Sequence, residues 1–176
     1  MKTVFMIAIL STSVAQAPSL KATTDWLRDF VQTEGRVSDG DWRDRYQVVA
    51  NVCTITILHD TDDISCTKPE NEGNCRNSPK VVTQHFKQIF NLKDIDLARV
   101  AVESNPSFHA YSVTMTTMNE LPRVTHSVKV GVAFKKESVD SDHSAYVVLP
   151  TSQAATRVAE AFRHAAALCG GKASPF

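Results

Sequence analysis

The chain has 176 residues, with nineteen Lys and Arg against nineteen Asp and Glu and a formal net charge of zero. That balance leaves no field to gather nucleic acid or an anionic membrane. The length fits one domain with a respectable core, and no stretch beyond the N-terminus is apolar enough to cross a bilayer.

Residues 1–15 have the form of a cleavable signal peptide. Met1-Lys2 gives a positive start, residues 3–10 are almost wholly apolar, and Ser13-Val14-Ala15 sets small residues at −3 and −1. Pro18 disfavours a cut after Ala17, so the mature chain is expected to begin at Gln16. Losing Lys2 leaves eighteen basic against nineteen acidic residues. Residues 16–176 are then expected to form one exported domain, periplasmic or secreted.

Thr23 or Thr24 can cap a helix over residues 25–33, with Trp26, Leu27, Phe30 and Val31 on one face. Residues 35–45, rich in Gly, Asp and Arg, read as a loop. Residues 46–59 form the strongest strand, with Val49, Cys53, Ile55 and Ile57 on a common inward face. Residues 60–80 are polar and carry Pro69, Gly73 and Pro79, the signature of an excursion between strands. Residues 81–92 suit helix or strand, and the strands that follow favour strand. A turn at 93–96 comes next, with Asp94 and Asp96 as turn-formers and Ile95 between them filling the core. Residues 98–103, 108–118, 124–134 and 145–149 are further strands, and the charged stretch 135–144 is a connection. Pro150-Thr151-Ser152 starts a closing helix whose stripe is Ala155, Val158, Ala159, Phe162, Ala166 and Cys169, stopped by Gly170-Gly171.

Four cysteines in an exported chain imply bridges. Cys66 and Cys75 bracket a polar stretch that must turn back on itself, so a local bridge closes easily there. Cys53 is left for Cys169, joining a strand to the end of the last helix. A four-thiolate zinc site would need paired C-x₂₋₄-C knuckles, which the spacing lacks.

The predicted order is a helix, about six strands and a helix. It describes an α+β domain in which an antiparallel barrel or sandwich is closed by the C-terminal helix. Three stretches carry a resemblance: Phe90-x-Leu92-x-Asp94-Ile95-Asp96 followed by Arg99-Val100-Ala101-Val102; Ala155-x-Arg157-Val158-Ala159-x-Ala161-Phe162-x-His164-Ala165; and Leu168-Cys169-Gly170-Gly171. With them the chain resembles exported bacterial proteins that contain a pleckstrin-homology-like domain. The resemblance covers the C-terminal half well and the N-terminal half in outline. It implies a fold and an exported context, and it brings no activity, cofactor or catalytic residue with it.

No catalytic pattern stands out. The six histidines are scattered, with no H-E-x-x-H pair, and there is no G-x-S-x-G elbow. His164 reads as a partly exposed helix residue. Asp60, Asp62 and Asp63 lack the glycine and the twelfth-position acid of a calcium loop and read as a solvated turn. The acidic loop at 60–76 opposes a phosphoinositide headgroup. The expectation is a non-enzymatic domain without a cofactor that binds a protein or peptide, for example as a strand added at a sheet edge beside the last helix. Alternatives are a carrier of a small apolar ligand in the sheet, or an enzyme whose residues converge only in the fold.

Overall fold

The computed structural model describes residues 17–39, 42–66, 79–106, 109–130 and 137–174. Its first element, α1, spans Leu20–Glu34 and is capped by Ser19, whose Oγ accepts from the Ala22 N–H at 3.2 Å. The helix therefore starts five residues before the position expected from Thr23 and Thr24. Those two threonines lie inside it, buried, because their hydroxyls donate back to the Ser19 and Lys21 carbonyls at 3.0 and 3.1 Å. Leu27 and Val31 enter the core, and Trp26 stacks on Phe30 with ring centroids 4.5 Å apart. Gly35 ends the helix where a Cβ would lie 2.5 Å from the Val31 carbonyl oxygen.

The expected loop at 35–45 is mostly strand. It holds β1, Arg36–Asp39, and the start of β2, Trp42–Asn51. These strands look polar because one face meets solvent: Arg43, Arg45 and Gln47 are exposed while Tyr46 and Val48 are buried.

A second correction concerns the strand expected at 46–59. It is two strands, β2 and β3 (Thr54–Cys66), joined at Val52-Cys53 by a tight turn between the paired residues Asn51 and Thr54. Val52 sits at φ 54°, where a β-branched side chain is strained, and neither central position of the turn holds Gly or Asn. The turn shifts the inward set to Val48, Ile55 and Ile57; Val49 is 51% exposed and Cys53 is half-buried in the turn itself. Because Val52 is 75% exposed, Val52→Gly loses little contact and relieves the left-handed strain. It should raise stability by about 0.5–2 kcal/mol, net of the entropy glycine adds to the unfolded chain. A lower urea midpoint for Val52→Gly would contradict the strain.

The polar excursion is also shorter than expected, since β3 continues to Cys66 and β4 begins at Pro79 (Pro79–Asn91). Asp60 and Asp62 are strand residues rather than a solvated turn. Asp60 meets His85 Nδ1 at 2.6 Å, and Asp62 accepts from Thr83 and pairs with Arg45. A 3-10 turn, Leu92–Asp94, leads into β5 (Ile95–Asn105). Ile95 is in the core as expected and Asp94 pairs with Arg123, but Asp96 is fully buried instead of sitting on a turn. Then come β6 (Ala110–Thr117), β7 (Val124–Val130), β8 (Glu137–Asp142, within the expected connection), β9 (Ser144–Leu149) and α2 (Ser152–Leu168).

The strands form two antiparallel sheets, ordered β1-β2-β3-β4-β7-β8 and β5-β6-β9, rather than a closed barrel. The chain changes sheet at the 3-10 turn, and the β7–β8 hairpin returns to the free edge of β4. Gln88, buried on β4, clips the sheets together. Its amide donates to the Tyr146 carbonyl at 3.1 Å and accepts from the Tyr146 N–H at 2.8 Å, which satisfies the outer edge of β9 at that residue. Helix α2 packs on β5 and β6 and against α1. Its stripe is the expected one: Ala155, Val158, Ala159, Phe162 and Ala166 are all buried, and Thr151 supplies the cap.

Candidate functional site

Of the four cysteines, Cys53 and Cys169 are bridged, with Cα atoms 5.8 Å apart and a sequence separation of 116. The bond ties the β2–β3 turn to the C-cap of α2. Cys66 is the last residue of β3; its side chain, Cys75, residues 1–16 and most of the excursion lie outside the described residues.

Beyond Cys169 the helix ends in a Schellman turn. The Gly170 N–H donates to Ala167 and the Gly171 N–H to Ala166, at 3.1 and 2.8 Å, with Gly170 at φ 86°. This turn directs the tail onto the outer edge of β5. Lys172 forms a parallel bridge with Asp96, and its carbonyl accepts from the Leu97 N–H at 3.1 Å.

Strand β5 ends its sheet, so alternate residues turn their main-chain groups away from β6. The Arg163 guanidinium, from α2, donates to the Val100 carbonyl, which identifies residue 100 as outward-facing. By the two-residue period Val102 and Ser104 face outward too. The same alternation carried across β6 places Tyr146 outward on β9, where Gln88 holds both its main-chain groups. Among the described residues, nothing pairs as a strand with the outer side of 100–105. Helix α2 packs on β5 and β6, and its Arg163 reaches this edge at Val100.

A polar cluster that the sequence leaves scattered forms on β2 and β3. Thr61 Oγ1 donates to Asp44 Oδ1 at 2.7 Å and lies 2.9 Å from His59 Nε2, which is 3.1 Å from the same carboxylate oxygen. The His59 ring is stacked between Tyr46 and Phe86, with centroids at 4.1 and 5.0 Å. Its Nδ1 is buried and has no partner among the described residues. Asp44 and Thr61 occupy one ring nitrogen and protein encloses the other, so neither is left to reach a substrate. The cluster acts as a polar lock on the β2–β3 register. Its sequence signal is the alternation 44, 46, 48 against 57, 59, 61, legible only once the turn at Val52 is placed.

Burial, then the nearby Asp44 charge, then Tyr146, push the Tyr46 phenol far above its usual range; burial and Asp44 also raise Tyr146. Unfolded tyrosines ionise near pH 10. Above that pH the unfolded chain holds fewer protons than the folded one, so stability present below about pH 10 is lost as pH rises. Tyr46→Phe removes one of the two contributions and should flatten the fall in urea midpoint between about pH 10 and 12. Equal slopes for both proteins would contradict this.

A groove of about 470 Å³ separates the helices, lined by Trp26, Ala22, Ala161, Arg157, Glu160 and His164. The Arg157 guanidinium covers Trp26 and Phe30, 5.2 and 4.7 Å from their centroids, and His164 Nε2 lies 2.9 Å from the Pro18 carbonyl oxygen. The inward residues of the sheets, including Ile55, Ile57, Val113 and Met115, belong to one packed core with Phe162. No protein-family model, curated protein or solved structure matches the chain.

Proposed function

We propose that the chain is an exported, non-enzymatic binding domain of pleckstrin-homology-like architecture that holds an extended protein or peptide segment along the outer edge of β5. The observation that carries the reading is the outward-facing main chain of Val102 and Ser104 beside α2. An added strand gains directional hydrogen bonds there, and the helix offers side-chain contacts for selectivity. With the β7–β8 hairpin set aside, seven strands in two antiparallel sheets remain, followed by a closing helix. That order supports the architecture. Export is supported by the bridge between distant cysteines, a bond that persists in oxidising compartments, together with the signal-like residues 1–15. No helix among the described residues is long and apolar enough to cross a membrane.

A displayed library of random octapeptides, panned on the full chain, tests the binding reading. Ser104→Pro removes an outward N–H at an exposed edge position, where proline is tolerated. Selected peptides should bind the Ser104→Pro chain about tenfold more weakly, the loss of one or two main-chain hydrogen bonds. Equal binding to both chains would place the ligands elsewhere and defeat the reading.

A further inference from the structure

The N-terminal part of the β5 edge is already occupied, by a short extended segment of the chain itself that makes one parallel bridge to it. Residues 171–174 leave the Schellman turn and run parallel to β5. Gly171 passes through a gap that admits no side chain: a Cβ there would lie 2.9 Å from the Ala166 oxygen and 3.2 Å from the Ile95 oxygen. The Lys172 carbonyl then takes the Leu97 N–H, and the Ser174 N–H reaches Asp96 Oδ1 at 2.9 Å.

Asp96 is the latch. It is fully buried, its Oδ1 also accepts the Ala98 N–H at 3.0 Å, and its Oδ2 has no partner among the described residues. A buried side-chain oxygen left without a hydrogen-bond partner is costly. The tail therefore closes over an incompletely bonded group through a few main-chain contacts. Such a contact opens more readily than the core strands do.

We infer that the C-terminal tail is a displaceable segment that competes with outside peptides for the β5 edge. This rests on the reading of that edge as a binding surface and adds its regulation. A segment confined to residues 100–105 leaves the tail in place. The register of β5 against β6 shifts between Ile95 and Val100, and Arg163 holds the Val100 carbonyl; a longer segment that follows the edge past this irregularity reaches Leu97 and must expel the tail. The small residue demanded at the gap makes a glycine-led peptide the fitting competitor.

The test uses the synthetic hexapeptide Gly-Lys-Ala-Ser-Pro-Phe, the sequence of residues 171–176, and two proteins: the full chain and a chain ending at Gly170, which keeps Cys169. Amide hydrogen exchange is read at Leu97. The shortened chain should exchange this amide at least about tenfold faster than the full chain. Millimolar hexapeptide should restore the protection in the shortened chain and leave the full chain unchanged. Equal Leu97 exchange in the two chains overturns the inference, as does a hexapeptide that fails to protect the folded shortened chain. Should the shortened chain not fold, Gly171→Ala in the full chain replaces it. Faster Leu97 exchange, slowed by the hexapeptide, supports the inference, and wild-type exchange overturns it. Peptide protection at Val102 and Ser104 is a separate readout, so failure of the tail as competitor is distinguished from failure of the edge as a binding surface.

Discussion

Replacing Cys53 and Cys169 together, as Cys53→Ser with Cys169→Ser, should lower the stability of the domain by about 4–5 kcal/mol and its melting temperature by roughly 10–15 °C. The bond closes a loop across a sequence separation of 116, and the entropy it removes from the unfolded chain grows with the logarithm of that span. It also holds the end of α2 against the β2–β3 turn, so its loss frees the helix terminus from which the tail departs. Cys66→Ser is the comparison. A bridge from Cys66 to Cys75 would span only about ten residues, and its loss should cost about 2 kcal/mol less. Calorimetry on the oxidised proteins reads the difference. Equal losses for the two changes, or no loss for the pair at 53 and 169, would contradict the assignment of the long-range bond as the main staple.

Phe162→Ala should cost about 3–5 kcal/mol. Phe162 is 1% exposed at the middle of the α2 stripe, and its ring lies 6.5 Å from that of Phe90 across the sheet. Truncation opens a cavity between helix and sheet that Val158, Ala159 and Ala166, fixed on the same helix, cannot collapse to fill. His164, two residues on, faces the groove toward α1 and contacts the Pro18 carbonyl oxygen at a site open to water. His164→Ala should therefore stay within about 0.5–1 kcal/mol of the parent. A denaturant titration with a common midpoint for the two variants would mean that the buried face of α2 is misassigned.

That stripe was the most legible part of the chain. Its apolar spacing, the Thr151 cap and the Gly170 stop are all local, and a helix writes its buried face in neighbouring residues. The strands were less legible. The turn at Val52 has no Gly or Asn at its two central positions, so two strands read as one and Val49 took the inward place that belongs to Val48. The polar strands β1 and β8 read as connections because solvent covers part of their surface. Asp44 and Thr61 are 17 residues apart, and only the hairpin register brings them to His59. The position of β5 at the end of its sheet was the least legible feature, since the order β5-β6-β9 is set by long-range packing.

Hydrogen exchange at Val102 and Ser104, with and without a peptide selected on the full chain, tests the binding surface most directly. Both amides face away from β6 and should exchange readily in the free protein. Bound peptide should slow both by about tenfold or more, with little change at Glu103, whose N–H already pairs with β6. Protection that appears instead along the α1–α2 groove or the outer face of β2–β3, with Val102 and Ser104 unchanged, would contradict the account.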